Sequence, residues 1–415
     1  MTLKRLLSQI VILVVASLMS AGAVLAQDRE AALYDIQVDV AYLASDLLEG
    51  RETGTPGEVL AARYIAARFE ELGLAPGGVE GGWLQPFEFR YNPNPHAPPS
   101  EGALRTGHNV IGVLDHGAAR TVVIGAHYDH LGYGGFGSRQ PGDSLIHNGA
   151  DDNASGVAAL VEIARQLSGS EARQNNYLFI AFSGEELGLY GSKHFIKTPT
   201  VARDQINYMI NLDMVGRLNA GRVLAVNGTG TSPAWDAAVE AAATGFDVKK
   251  HASGLGPSDH ASFYLEGVPV LHLFTGQHAE YHKADDDSHL INYDGLYDVA
   301  SFVVGLIETL DDQGALAFTK TQDADPNRRA PFKVSLGVMP DYVSGGDGVR
   351  IDAVIDGRPA AKAGLQKGDV VIRLGDVTVT DINAYMEALS KFDKGDVTTV
   401  VVKRGDEVIE KEIRF

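Results

Sequence analysis

The sequence has no cysteine among its 415 residues. That absence excludes a disulfide framework, a thiolate metal site and a lipid attached to Cys at a leader's cleavage point. Any metal must then be held by His, Asp and Glu. Positive charge is scarce as well: 35 Lys and Arg stand against 54 Asp and Glu, a formal net charge of −19. So acidic a chain is a poor partner for nucleic acid or an anionic membrane surface. Long apolar runs are lacking except from Ile10 to Leu25, which follows Lys4 and Arg5 and ends in Val24, Leu25 and Ala26. A basic start, a short apolar stretch and small residues at its end read as a signal peptide over 1–26. Its removal would leave a secreted or periplasmic chain, two charges more negative and without a stable membrane anchor.

What is present is an ordinary globular composition, 45% hydrophobic and 21% charged, in a chain long enough for more than one domain. From Ala31 to Gly73 the pattern is helical, with Leu60, Tyr64, Ile65, Phe69 and Leu72 on one stripe and Gly73 as a C-cap. The Gly-, Pro- and Asn-rich stretch from Gly77 to Pro99 reads as irregular surface structure anchored by Trp83 and Phe87. Apolar runs at 109–114, 121–126, 177–182, 206–212 and 268–274 read as strands, and Val157 to Leu167 as a buried helix. Strands separated by helical segments imply an α/β fold, a mostly parallel mixed sheet flanked by helices.

The ionisable residues fall at particular places in this pattern. His127, the Glu185 and Glu186 pair and Asp213 each end or follow an apolar strand, Asp152 precedes a helix, and His282 follows the last strand. In open α/β sheets that edge is where ligands bind. Two imidazoles and several carboxylates without a thiolate suit zinc, with manganese or cobalt acceptable by ligand type. A carboxylate shared between two ions about 3.5–4 Å apart would leave another free as general base. On chemistry alone Asp151 and Asp152 are equal candidates. His130 and His147 read as solvated loop residues, His194, His272 and His278 as structural or exposed, and Ser258, Asp259 and His260 as a helix cap.

The motifs HYDHLG, NGADDNASG, FSGEELGLYGS, NLDMVGR and EYHKADDDSHLINYDG, in this order, resemble the co-catalytic zinc aminopeptidases of the bacterial leucyl aminopeptidase and glutamate carboxypeptidase II type. LEGRETGTPG with its following helix resembles them too, so the likeness runs roughly from Ala31 to Leu310. It implies two zinc ions held by His127, Asp152, Glu186, Asp213 and His282, with Asp152 as the bridge and Glu185 as the general base. It further implies that Asp129 hydrogen-bonds the His127 imidazole, that Asp286 orients His282, that Tyr281 steadies an oxyanion, and that the peptide after Asp152 is cis. The stretch from Phe87 to Asn109 is too short for the inserted domain that many relatives carry. The activity implied is removal of N-terminal residues from peptides. The alternatives are a carboxypeptidase or other amide hydrolase, a glutaminyl cyclase with one zinc, and a non-catalytic peptide-binding protein.

The domain organisation expected is a peptidase domain over 27–312, a polar, proline-punctuated linker over 313–330 and a second domain over 331–415. The segments FKVSLGVMPDY, PAAKAGLQKGD and TTVVVKRGDEVIEKEIRF resemble a bacterial PDZ domain of short strands and two helices. By that resemblance the backbone of Ser335, Leu336, Gly337 and Val338 would capture the C-terminal carboxylate of a peptide partner.

Overall fold

A computed structural model describes residues 27–92, 102–135, 137–140, 144–321, 334–340, 348–354, 357–380, 382–405 and 407–415. The signal peptide read over 1–26 lies outside these residues. Helix α1 covers 27–43 and α2 covers Pro56–Glu71, entered through Pro56 behind the N-cap Thr55. Ala61, Ile65 and Phe69 of α2 are buried, whereas Leu60, expected on the same stripe, is 41% exposed. Gly73 closes the helix region in the left-handed conformation, φ 76.

The strands follow as β1 (Ala75–Pro76), β2 (Leu84–Tyr91), β3 (Ala103–Leu114), β4 (Thr121–His127), β5 (Asn176–Phe182), β6 (Ile206–Leu212), β7 (Val223–Asn227), β8 (Asp247–His251) and β9 (Val270–Phe274). Helix α3 (Gly156–Ser168) joins β4 to β5, α4 (Tyr190–Lys197) joins β5 to β6, and α5 (Trp235–Ala242) joins β7 to β8. The short α6 (His260–Tyr264) precedes β9, and α7 (Tyr293–Leu310) follows it. Their nine-stranded sheet has the order β1-β3-β5-β4-β6-β9-β7-β8, with β2 on β3. The central pairs β5/β4, β4/β6 and β6/β9 are parallel, while β3/β5 and β7/β9 are antiparallel.

Alternation along each strand builds a core on either face. Val122, Ile124, Phe179, Tyr208, Ile210 and Leu271 pack with α3, α5 and α7 on one side. Val123, Leu178, Ile180, Phe182, Met209 and Val270 pack with Phe195 of α4 and Phe263 of α6 on the other. Strand β2 corrects the expectation of irregular structure for 84–91; of the stretch 77–99, residues 93–99 lie outside the described residues. Phe87 and Phe89 are buried and alternate with exposed Glu88 and Arg90, a period of two that the Pro and Gly content masked. Pro86 is tolerated because β2 pairs on one side only, with β3.

The stretch read as a linker begins as a strap on the first domain. Asn207 takes Gly314 O and Leu316 N on its side chain at 2.8 Å each. Thr319 N donates to Thr231 O at 2.7 Å, and Thr321 N donates to the Tyr264 hydroxyl at 2.9 Å. Beyond it, β10 (Val338–Pro340), β11 (Val349–Val354), β12 (Val370–Leu374), β13 (Val377–Thr378), β14 (Val397–Arg404) and β15 (Glu407–Arg414) form a second, antiparallel sheet. With α8 (Pro359–Ala363) and α9 (Ile382–Ser390) it encloses a separate core around Leu336, Ile351, Val371, Tyr385 and Val400.

Each strap hydrogen bond contributes about 0.5–1.5 kcal/mol. A fragment ended at Asp312 should therefore be about 2–6 kcal/mol less stable to urea than one ended at Thr321. Equal urea midpoints for the two fragments would show that the strap adds nothing.

Candidate metal centre

The parallel strands deliver their C-terminal ends to one edge of the sheet. His127 ends β4 opposite Phe182 of β5, Glu185 and Glu186 lie in the turn after β5, and Asp213 follows β6. Asp152 comes from Ala150–Ser155, a turn ahead of α3 whose peptide Asp152–Asn153 is cis. This turn is entered through Gly149 at φ 55, where a Cβ would stand 2.1 Å from Asp152 O. His282 returns from the loop after β9 at φ 56, and Met214, next to Asp213, has φ 53. Left-handed non-glycine residues beside candidate ligands are characteristic of functional sites.

Asp152 is the centre of the constellation. His127 Nε2 lies 3.3 Å from Asp152 Oδ1 and 3.5 Å from Asp213 Oδ1. His282 Nε2 lies 3.2 Å from Asp152 Oδ2 and 3.3 Å from Glu186 Oε2. Asp152 thus offers one oxygen to each of two matched halves. The two imidazoles are also presented alike, with Nδ1 of His127 on Asp129 O at 3.2 Å and Nδ1 of His282 on Gly137 O at 2.9 Å. A carbonyl at Nδ1 places the ring proton there and leaves Nε2 as the donor lone pair. Around a tetrahedral ion with bonds of about 2.0–2.1 Å, neighbouring donors stand about 3.3–3.4 Å apart. The imidazole-to-carboxylate separations in both halves lie at this spacing.

The second half has another imidazole close by. His130 Nδ1 lies 2.7 Å from Glu186 Oε1 and 3.9 Å from Asp152 Oδ2, which makes His130, Asp152 and Glu186 a ligand-like group as well. His130 is 1% exposed and His147 is fully buried, so the expectation of solvated loop histidines is corrected for both. The sharp turn through Gly132 and Gly134 folds their loop back over the site. His130 Nε2 has no hydrogen-bond partner, whereas His147 is occupied by Ser138 Oγ and Leu145 O.

Three supporting roles differ from expectation. The Asp129 carboxylate accepts from Glu185 N at 3.1 Å and from the Thr53 hydroxyl at 3.0 Å, and its nearer oxygen is 3.8 Å from His127 Nδ1. Its backbone oxygen, not its carboxylate, fixes the His127 ring. Asp286 does not bond His282; its Oδ2 accepts the backbone N–H groups of Asp151 and Asp152 at 2.9 and 3.0 Å. Asp259 makes no side-chain cap for α6, and both its oxygens and both ring nitrogens of His260 are buried without partners. Asp151 and Asp152, equal on chemistry alone, face different ways, and it is Asp152, the one the resemblance selects, that turns to the imidazoles. Asp151 points away to Gly216 N, the Ser155 hydroxyl and, at 3.2 Å, His278 Nε2.

Tyr281 stacks on His282 with ring centroids 3.8 Å apart, and the Arg139 guanidinium stands 4.9 Å from its ring. The floor of the site, His127 and Asp152, is closed to solvent, while the side chains of Asp213 and His282 are each 14% exposed at its mouth. Ser335, Leu336, Gly337 and Val338 belong to the other domain. There Leu336 is buried with its oxygen on Ala360 N, and Gly337, at φ 75, donates its N–H to Ser335 Oγ.

Crowding separates the carboxyl groups electrostatically. Burial pushes Glu185 well above the usual carboxylate range, and Asp213 and Glu186 add to this against the pull of His127. Burial acts on Glu186 too, but His282 and His130 outweigh it and bring the group to about 2. Burial would lower His127, yet Asp213 and Glu185 hold it well above its ordinary value. Two adjacent glutamates with opposed proton affinities are the arrangement that divides acid–base work from ligation.

Residues 109–307 match the family described as Peptidase family M28, and residues 321–414 match a PDZ domain. A probable leucine aminopeptidase of Arthroderma otae is 31% identical over 213 residues, 47% of this chain and 54% of that protein. The glutaminyl-peptide cyclotransferase of Bos taurus is 27% identical over 282 residues, 58% of this chain and 73% of that enzyme. The chain spans about half the length of the leucine aminopeptidases it matches. Among solved structures, a zinc aminopeptidase from Bacillus subtilis superposes with a TM-score of 0.52 at 20% identity, over 66% of this chain and 94% of that one, a likeness of fold.

Replacing Asp286 with Ala leaves the Asp151 and Asp152 amides without their acceptor. The affinity of the metal-free chain for zinc should fall about 10- to 100-fold, as for other residues that orient ligands, measured by competition with a chromogenic chelator. An unchanged affinity would show that the Ala150–Ser155 turn holds its own shape.

Proposed function

We propose that the chain, whose residues 109–307 match peptidase family M28 and whose residues 321–414 match a PDZ domain, is a secreted or periplasmic aminopeptidase that works with two zinc ions. The observation that carries the reading is Asp152, with one oxygen turned to His127 and Asp213 and the other to His282 and Glu186. His282 rather than His130 completes the second half, because its Nδ1 is tied to a backbone carbonyl and its Nε2 faces both acids. His130 instead braces Glu186 through its other oxygen. Secretion is inferred from the composition of 1–26, and a C-terminal peptide is the partner proposed for the PDZ domain.

Zinc at these positions would acidify a water and polarise the scissile carbonyl. The chain's own residues do the rest. Glu185, fixed at its backbone by Asp129, receives the proton of the attacking water and returns it to the departing amine. To Tyr281, which stacks on His282, we assign donation to the oxygen that becomes negative. The partly exposed Asp213 at the mouth is available to a free α-amino group, which favours attack at the N-terminus. The likeness to a glutaminyl-peptide cyclotransferase supports one rival, cyclisation of N-terminal glutamine on a single zinc.

Hydrolysis of aminoacyl anilides, free and N-acetylated, tests the activity. Cleavage confined to free amines, lost with chelator and regained with zinc, is expected. Equal cleavage of the acetylated set would refute an aminopeptidase, and release of pyroglutamyl peptides by a chain holding one zinc would favour the cyclase. Glu185→Gln should lower kcat about 100- to 10,000-fold with two zinc ions still bound. Retained turnover would remove Glu185 from the mechanism.

A further inference from the structure

Arg51 is fully buried, and among the described residues its guanidinium meets no carboxylate within hydrogen-bond range. All its acceptors are backbone carbonyls. Nε donates to Tyr128 O at 2.7 Å, one terminal nitrogen donates to Asn148 O at 2.6 Å and also to Leu43 O, and the other donates to Gly149 O at 3.0 Å. Tyr128 follows His127, Asn148 and Gly149 lead into the turn that bears Asp152, and Leu43 ends α1. One planar fork therefore joins the segments that supply a ligand to the first half and the shared carboxylate to both.

The backbone around Arg51 repeats the connection. Arg51 O accepts from His130 N at 3.3 Å and Gly50 O accepts from Gly132 N at 3.1 Å, so the Asp46–Arg51 segment is clamped on the chain just beyond His127. Arg51 itself lies at φ 52 and Gly50 at φ 70, a path that brings Gly50 so close to Gly132 that a Cβ would stand 2.5 Å from Gly132 O. Arginine ordinarily takes a carboxylate in such a buried place, because its fork matches one. Here the carboxylates that feel its charge, those of Asp129, Asp152, Asp286 and Glu186, are left with their oxygens directed elsewhere. A cation placed among anions without occupying any of them lowers their mutual repulsion and keeps them available as ligands.

We propose that Arg51 is a positioning residue of the metal centre, its fork fixing the spacing between His127 and Asp152. The inference rests on the zinc reading of the site. It distinguishes the shape of the guanidinium from its charge, since lysine keeps the charge but cannot span carbonyls from three segments in one plane.

Zinc titration calorimetry of the metal-stripped full chain, with circular dichroism as a check on folding, tests it. Wild type should take up two equivalents; a wild type that binds none refutes the zinc reading and this inference together. Arg51→Lys should remain folded and bind zinc about 10- to 100-fold more weakly. Wild-type affinity in a folded Arg51→Lys chain, or a lowered melting temperature with affinity unchanged, would overturn the positioning role while leaving the zinc reading intact. Gly50→Ala keeps the guanidinium but displaces the segment that presents it, and decides the matter if Arg51→Lys does not fold. Weakened zinc binding by that variant supports the proposal, and unchanged binding overturns it.

Discussion

The structure depends on keeping several carboxylates together at one edge of a sheet without a net that flies apart. Asp129, Asp151, Asp152 and Asp286 are buried, with Glu185, Glu186 and Asp213 beside them. Unpaired buried charge is costly, and like charges in contact raise one another's proton affinity. The chain answers with three kinds of partner. Imidazoles face Asp152, Asp213 and Glu186, backbone N–H groups face Asp129 and Asp286, and Arg51 stands behind them all on carbonyls alone. Divalent ions held by Asp152 and its neighbours would complete the balance.

The neighbouring loops are interlocked by the same logic. Asp151 ties the turn before α3 to Gly216 and His278, and Asn153 accepts from Gly156 N and Met214 N while its amide donates to Leu212 O. A shift of any one ligand loop therefore breaks hydrogen bonds in another. Rigid strands under the site and cross-braced loops above it provide the preorganisation that ligation of a small ion requires. Solvent access is left to the mouth, at Asp213 and His282.

The two domains have independent cores, and the strap from Gly314 to Thr321 belongs with the first. Its last described residue engages Tyr264 and Gly254, on the helix and loop that hold Asp259 and His260. The strap thus runs from the end of α7 to the buried polar cluster on the helix next to β9.

Much of this was legible in order along the chain. Apolar runs ending in His127, Glu185 and Asp213 announced both the sheet and its functional edge, because a parallel strand must be buried on both faces and can change polarity only at its ends. The five proposed ligands and the PDZ-like domain were readable from the resemblance of their motifs to known families. What the sequence could not assign was direction. Asp151 and Asp152 are chemically alike, and only the wide turn after Gly149 sends one toward His278 and the other between the two imidazoles. Asp129 and Asp286 are close to ligands in sequence, yet each carboxylate supports a backbone segment instead of a ring, since hydrogen-bond partners are set by approach in space. The burial of His130 and the reach of Arg51 to carbonyls as far as 98 residues along the chain have no local signature. Sequence determined which groups the site contains, because periodicity and strand ends are local; tertiary structure decided what each one faces, because that depends on contacts between segments distant in the chain.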